Sequence, residues 1–257
     1  TRAMNESDTR LKLIDPALKR SWDFKRQTFT EYYFTDGEII VRGHMTVRKK
    51  PKKADYLLMY VSDVLMAVVE SKDTSHAVGA GMQQAMGYAS SLDVPFTYST
   101  NGKGFLEHDF TTGKERRLAM DDFPTPDELW GRYRVAHGIQ GNEAAQTVTT
   151  PFYYETGDVT SRYYQRIAVN RTVEAIARGQ RRVLLVMATG TGKTYTAFQI
   201  VHRCRSAPGG RPRPGARTGG LQLGARICCG RGARRAYRAR GRRRPRPRIP
   251  CRRPRGI

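Results

Sequence analysis

Three side chains, Asp55, Glu70 and Lys72, have the types and spacing needed to hold a divalent cation against a phosphodiester. Asp55 opens one apolar run, KKADYLLMYV, and Glu70 and Lys72 close the next, VLMAVVESK. The short Ser62-Asp63 turn between the runs predicts a hairpin, which would bring Asp55 and Glu70 to one end of a sheet. Residues two apart on a strand face the same way, so Glu70 and Lys72 would converge. Two carboxylates there suit Mg²⁺, which takes oxygen ligands and keeps several waters. The ion would polarise the phosphate and acidify a bound water, while Lys72 orients that water or offsets developing charge. The same residue types are also ordinary at solvated strand ends. What favours a site is the context: Val64–Val69 is a nearly continuous apolar run, of the kind buried on both faces, and it ends in charge.

A second constellation is the loop Gly190-Thr191-Gly192-Lys193-Thr194, in the wording MATGTGKT. Glycines let backbone N–H groups approach phosphates, and the N-terminus of a following helix favours their charge. Lys193 would reach the β- and γ-phosphates of ATP, and the Thr194 hydroxyl would ligate Mg²⁺. A plain strand-to-helix turn needs glycine but has no use for Lys-Thr. The wording resembles superfamily-two helicases and translocases, and Gln165 in RYYQRIAV resembles their adenine-reading glutamine. It is equally well read as a solvated helix residue. No acidic box of the D-E-A-H kind and no arginine finger follow Lys193, and Asp127-Glu128, which precede it, cannot stand in. ATP hydrolysis is therefore not expected from this chain.

The elements that must position these groups read as follows. Residues 5–20 predict an opening helix with Asn5 or Ser7 as cap, weakened in its second half by Pro16. Thr28–Phe34 and Glu38–Arg42 read as a hairpin around Thr35-Asp36-Gly37. Ala54–Val61 and Val64–Glu70 are strands, 75–92 is helical though glycine-rich, and Phe96–Thr100 and Gly104–Phe110 flank an Asn101-Gly102 turn. Residues 121–160 read as a linker around one short helix near Pro126–Val135. A helix from Arg162 to about Arg178, a strand Arg182–Met187, the glycine loop and a helix from Lys193 then open a nucleotide-binding α/β unit.

The chain has 257 residues and a net charge of +23, but Arg205–Ile257 alone holds 18 Arg with no Lys, Asp or Glu. The remaining 204 residues carry only +5, so the global charge says little about the partners of the body. The Arg/Gly/Pro-rich tail lacks apolar periodicity and is expected to be disordered. A translation frame change explains its abrupt onset inside a helix better than a genuine nucleic-acid-binding tail does. The four cysteines lie in or beside this tail with no C-x-x-C spacing, which argues against a zinc site and a disulfide framework. The longest apolar run of the body, Val183–Ala188, is far too short to span a bilayer, and no secretory signal opens the chain, so a cytoplasmic protein without membrane contacts is expected.

From Asn5 to about Phe105 the sequence resembles the nuclease domain of the restriction (R) subunit of type I restriction–modification enzymes. The pieces are NESDTRLKLIDPAL, TDGEIIVRG, KKADYLLMY, VVESK, QQAMGYASSLDVPF and STNGKGF. In that family a PD-(D/E)-x-K nuclease precedes a superfamily-two translocase, and the two motif sets occur here in that order. The resemblance implies an α/β, restriction-endonuclease-like mixed sheet flanked by helices over 1–120. A linker over 121–160, the start of the motor over 161–204 and the tail over 205–257 would follow.

It further implies Asp55 and Glu70 as metal ligands, Lys72 as the catalytic lysine, and Gln84 and Tyr88 as the Q-x-x-x-Y pair on one helical face. Ordinary amphipathic packing is the plainer account of that pair. Glu6 resembles an acid of the first helix that approaches the metal. Ala54 replaces the proline of the motif name. Double-stranded DNA, Mg²⁺, ATP and the modification and specificity subunits are the implied substrate, cofactors and partners of a type I deoxyribonuclease. The basic residues Arg48, Lys49, Lys50, Lys52 and Lys53 read equally well as a solvated run or a DNA-backbone contact. Two other functions stay open at this point. One is a helicase subunit with a non-catalytic N-terminal domain; the other is a non-catalytic Arg-rich nucleic-acid-binding protein.

Overall fold

The computed structural model describes residues 4–34, 39–42, 45–48, 52–154 and 161–207, with only the backbone of 39–42 and 45–48. The Thr35-Asp36-Gly37 turn, Lys49, Lys50 and the tail from 208 onward lie outside the described residues, as does the side chain of Arg48.

The chain opens with α1 (Glu6–Thr9), a π turn (Arg10–Ile14) and α2 (Asp15–Lys19), with the Asn5 side chain accepting from the Asp8 N–H as cap. The π turn relieves the problem that Pro16 poses. Proline has no N–H and its ring crowds the carbonyl four residues back, and the widened turn just before it removes the need for that bond.

Six strands form one sheet in the order β1-β4-β5-β6-β7-β8: β1 (Thr28–Tyr33), β4 (Lys53–Met59), β5 (Leu65–Ser71), β6 (Phe96–Thr100), β7 (Phe105–Asp109) and β8 (Lys114–Leu118). Only β5 and β6 are parallel, joined through α3 (Met82–Leu92). A separate hairpin pairs β2 (Ile39–Arg42) with β3 (Met45–Arg48). This corrects the expected hairpin of 28–34 with 38–42: β1 pairs with β4 instead, and 39–42 finds its partner in Met45–Arg48. The β4–β5 hairpin forms as expected, with Tyr56 opposite Val69 and Leu57 opposite Val68.

β5 is buried along its whole length, which its unbroken apolar composition dictates for a central strand. Alternation sorts the core. Tyr56, Leu58, Phe96, Tyr98 and Phe105 pack with Ile14, Leu18 and Trp22 on one face, while Leu57, Val68, Ala89 and Leu92 pack under α3 on the other. The glycine-rich stretch 75–81 stays irregular, and the helix expected over 75–92 begins only at Met82.

The described residues of 121–160 hold two helices, α4 (Pro126–Ala136) and α5 (Gly141–Thr149), where composition suggested one helix in a linker. Leu129, Trp130, Tyr133, Ile139 and Val148 join the larger core, and Trp130 stacks on Tyr60 at 4.9 Å and on Tyr133 at 5.7 Å. Helix α6 (Tyr163–Ala177) is pinned to the β4–β5 turn: Asn170 Nδ2 donates to the Asp63 carbonyl at 2.8 Å, and Arg166 Nε lies 3.5 Å from Asp63 Oδ1. Helix α7 (Lys193–Ser206) packs on α6 through Ile200, Val169 and Val173.

The strand expected over Arg182–Met187 is absent. This segment makes no backbone–backbone hydrogen bond with another described residue, and Val183, Leu184 and Val186 are exposed. A strand exists only with a neighbour, and none of the described strands lies alongside. Trp130→Ala should lower the unfolding free energy by about 3–5 kcal/mol in urea titration, as expected for a packed core aromatic. A change below about 0.5 kcal/mol would instead mark α4 as a solvated connector.

Candidate active site

Register and strand ends bring the acids together. Continuing the β4–β5 pairing one step past Tyr56 and Val69 sets Asp55 opposite Glu70, on strands only one hydrogen-bond spacing apart. Both acids are buried, Asp55 to 5% exposure and Glu70 to 2%. Charge in such a position needs partners, and each acid has them on one oxygen. Asp55 Oδ2 accepts from the Ser71 N–H at 2.8 Å and from Ser71 Oγ at 2.7 Å. Glu70 Oε1 accepts from Lys72 Nζ at 3.2 Å and from Gln84 Nε2, which also donates to Tyr88 Oη at 3.0 Å.

The second oxygens are left. Glu70 Oε2 is buried with no hydrogen-bond partner among the described residues. Asp55 Oδ1 makes no hydrogen bond among the described residues and faces Arg10 Nη1 at 3.7 Å. Two buried carboxylates, each held by hydrogen bonds at one oxygen and without a hydrogen bond from the described residues at the other, are a donor set that fits a hard oxygen-seeking cation.

The electrostatics follow from the burial. The Glu70 carboxyl is pushed up to about 7, first by loss of solvent, then by the Asp55 charge, with Lys72 pulling the other way. Burial opposes the Lys72 ammonium, but the charges of Glu70, Glu6 and Asp55 outweigh it and hold its pKa above the usual lysine value. Lys72 is therefore a cation here, suited to neutralising charge rather than accepting a proton.

The expected Gln84–Tyr88 pair lies on one face of α3, with Gln84 bonded to Glu70 and Tyr88 edge-on to Phe34 at 5.4 Å. Glu6 is exposed in the first turn of α1, where its charge is felt at Glu70 and Lys72. Among the described residues no three His, Cys, Asp or Glu side chains form a metal-binding group, so Glu6 is not gathered with Asp55 and Glu70. Lys53 bonds Glu31 at 3.2 Å.

Ser71 and Gly81 have positions that sequence alone did not single out. Ser71 is the middle residue of E-x-K, and a small hydroxyl inside an apolar strand was its signal. Gly81 reads in sequence only as a helix-weakener. A Cβ there would stand 3.0 Å from Glu70 Cγ and 3.1 Å from Ser99 Oγ, so the side-chain-free position lets α3 close over Glu70.

At the glycine loop, Gly190 and Gly192 have φ of +80° and +82°, which the loop geometry demands of residues without Cβ. Gly192 directly precedes α7, and Lys193 and Thr194 open the helix, Thr194 exposed. Lys193 Nζ donates to the carbonyls of Met187 at 3.3 Å and Ala188 at 2.9 Å, and Thr191 Oγ1 donates to Ala188 O at 2.7 Å. Gln165, open to two readings in sequence, donates through Nε2 to the Thr191 carbonyl at 2.9 Å. The structure thus joins all the expected loop residues with Gln165 into one cluster, well separated along the chain from the acids.

Comparison with known proteins gives the following. The family "Type III restriction enzyme, res subunit" matches residues 158–211. The EcoAI type I restriction enzyme endonuclease subunit of Escherichia coli is 45% identical over 206 residues, covering 78% of this chain and 25% of that protein. The EcoKI endonuclease subunit, also from Escherichia coli, is 31% identical over 154 residues, covering 56% of this chain and 12% of its own length. A solved fragment of an HsdR subunit of a type I restriction enzyme from Vibrio vulnificus superposes with a TM-score of 0.72 at 44% identity, covering 80% of this chain and 39% of the fragment. The chain thus spans a quarter or less of the two curated relatives' length.

Glu70 supplies a pH test. In the unfolded chain a glutamate ionises near 4.5, whereas in the fold Glu70 does so near 7, so its ionisation costs stability progressively between those values and fully above them. Glu70→Gln should therefore stabilise the protein in a chelating buffer at pH 8, by about 2 kcal/mol, and give no gain at pH 4. Thermal melts at the two pH values decide it, and a variant less stable at pH 8 would refute the assignment.

Proposed function

Because this chain belongs to the endonuclease (R) subunit family of type I restriction enzymes, we propose that Asp55, Glu70 and Lys72 form a PD-(D/E)-x-K nuclease centre that hydrolyses DNA phosphodiesters. The observation that carries this is the bare, buried Glu70 Oε2 opposite Asp55, in a cluster where Ser71 holds one Asp55 oxygen and Lys72 and Gln84 hold the other Glu70 oxygen. Asp55 and Glu70 would hold Mg²⁺, and the bound ion would supply polarisation of the scissile phosphate and a water of lowered pKa.

The chain's own groups have distinct tasks. Ser71 fixes the Asp55 carboxylate through two hydrogen bonds, and Gln84 fixes that of Glu70. Lys72, a cation 3.2 Å from Glu70 Oε1, orients the attacking water and offsets the charge that develops on the phosphate. Tyr88 holds Gln84 in place. Ala54, where the motif name has proline, packs in the core under α3 and supplies no functional group to the cluster.

Residues 161–204, inside the 158–211 stretch similar to the Type III restriction enzyme res subunit family, would be the start of an ATP-driven motor. Gly190, Thr191, Gly192, Lys193 and Thr194 would cradle the phosphates of ATP with Mg²⁺, and Gln165, bonded to Thr191 O, links that loop to the preceding helix. In the full-length relatives' context, cutting of double-stranded DNA would be coupled to translocation and directed by the modification and specificity subunits. Among the described residues no helix is long and apolar enough to cross a membrane.

Nicking of supercoiled plasmid by the full chain in Mg²⁺ should fall at least about 100-fold in Asp55→Ala and Lys72→Ala, in line with removal of a positioned catalytic group. Equal cleavage by all three proteins would overturn the centre and leave a docking domain in its place. Deletion of 208–257 should leave the cleavage unchanged; loss of DNA binding with that deletion would favour an Arg-rich binding protein.

A further inference from the structure

Arg10 and Glu31, we infer, form a charge pair that tunes how tightly Asp55 holds a divalent cation, an inference that rests on the metal-site assignment above. Arg10 Nη1 lies 3.7 Å from Asp55 Oδ1 and 3.2 Å from Glu31 Oε1. Its Nε is 3.5 Å from Tyr56 Oη, and its guanidinium carbon is 5.0 Å from the centre of the Tyr56 ring. Ser71 occupies Asp55 Oδ2, so Oδ1 is the oxygen left for a cation, and Arg10 stands beside it.

Two independent backbone irregularities create this contact. Arg10 opens the π turn, and single π turns inside helices re-aim side chains and recur at functional sites. Glu31 has φ of +53° within β1. There Thr30 pairs with Tyr56 and Tyr32 with Ala54, and the pairing skips Glu31, the residue facing Asp55. The left-handed region is unfavourable for a residue with Cβ, and such strain concentrates where a side chain has to be held for function. Asp63 and Asp93, the other non-glycine residues with positive φ among those described, lie in a turn and at a helix end, where this backbone is ordinary. Lys53 Nζ, 3.2 Å from the same Glu31 oxygen, steadies the glutamate.

A guanidinium and a divalent cation repel one another at a shared oxygen. Glu31 gives Arg10 a second anion to lean on and so shares the guanidinium charge between two carboxylates. Removing the Arg10 charge therefore strengthens cation binding, and removing the Glu31 charge weakens it as long as Arg10 is present. Arg10 is a positioning and tuning residue here, and Glu31 acts through it.

Titration of the 257-residue chain with Mn²⁺, followed by calorimetry and by the electron paramagnetic resonance of the free ion, tests this without reference to cleavage. Arg10→Gln should bind at least about fivefold more tightly than the native chain, since one unit charge near 4 Å is worth about that factor against a monovalent ion even in water-like screening, and more against a divalent one. Glu31→Gln should bind about twofold more weakly. In the Arg10→Gln background the Glu31 substitution should change nothing further, as a double-mutant cycle requires of a residue acting through another. Unchanged or weaker binding by a folded Arg10→Gln, checked by circular dichroism, overturns the inference. So does an equal loss from Glu31→Gln in both backgrounds, which reports long-range attraction alone. If Asp55→Ala titrates like the native chain, the metal-site assignment itself fails, a result distinct from either of these.

Discussion

Two carboxylates buried at the same end of neighbouring strands cannot stand alone. Like charges in poor solvent repel and lose hydration, and the surrounding structure must answer both costs. The answer is local and specific. Lys72 supplies the opposite charge, Gln84 and Ser71 supply donors, and Gly81 removes the Cβ that would keep α3 off Glu70. The irregular path of 75–81, the helix beginning only at Met82 and the parallel β5–β6 step all serve this closure. A fold selected for stability alone would place apolar residues at 55 and 70, since well-packed hydrophobic groups commonly equal or exceed a buried charged cluster.

The parts of this arrangement legible in the sequence are those set by short range. Asp55 and Glu70 are fifteen residues apart across one tight turn, so alternation and a hairpin suffice to pair them. Gln84 and Tyr88 are i and i+4 on a helix, a spacing that places them together before any tertiary contact is known. Arg10, Glu31 and Ser71 were not legible, each for a physical reason. Glu31 meets Asp55 only through the β1–β4 pairing, and the sequence suggested a different neighbour for β1. Arg10 meets Asp55 from the first residue of a π turn, and no period in the sequence announces a π turn. Ser71 points its hydroxyl to a carboxylate on the next strand, which requires the register to be known to the residue.

Polar segments were the other blind spot. β8, KERRL, carries almost no apolar signal, because an edge strand needs only backbone partners on one side and its side chains stay in water. α4 and α5 lie among Pro, Gly and Thr, yet Trp130, Tyr133 and Val148 anchor them in the core. A few large side chains outweigh the average polarity of a segment, since each aromatic buries 150–250 Å² by itself, about as much as several small residues. Conversely, VLLVM before the glycine loop has strong strand character and stays unpaired. Propensity describes what a segment does when a sheet edge is offered to it, and here none of the described strands offers one.

Helix α6 ties the acid cluster and the glycine loop into one piece of structure. Near its start, Gln165 touches the glycine loop and Tyr163 packs into the cluster that contains Phe34 and Tyr88, the same tyrosine that holds Gln84. Further along, Asn170 and Arg166 grip the β4–β5 turn, and Arg171 makes two 2.6 Å bonds to Asp93 at the end of α3. A helix fixed at so many points to the six-stranded sheet cannot swing as a free lever. Any displacement imposed at Thr191 must either shift the first turn of α6 alone or carry the sheet with it. The first turn is the softer element, because a helix end lacks the full set of backbone bonds that its middle has. The first turn of α6 thus meets the glycine loop through Gln165 and the cluster under α3 through Tyr163, and contiguity of this kind is the geometric requirement for coupling rather than coupling itself.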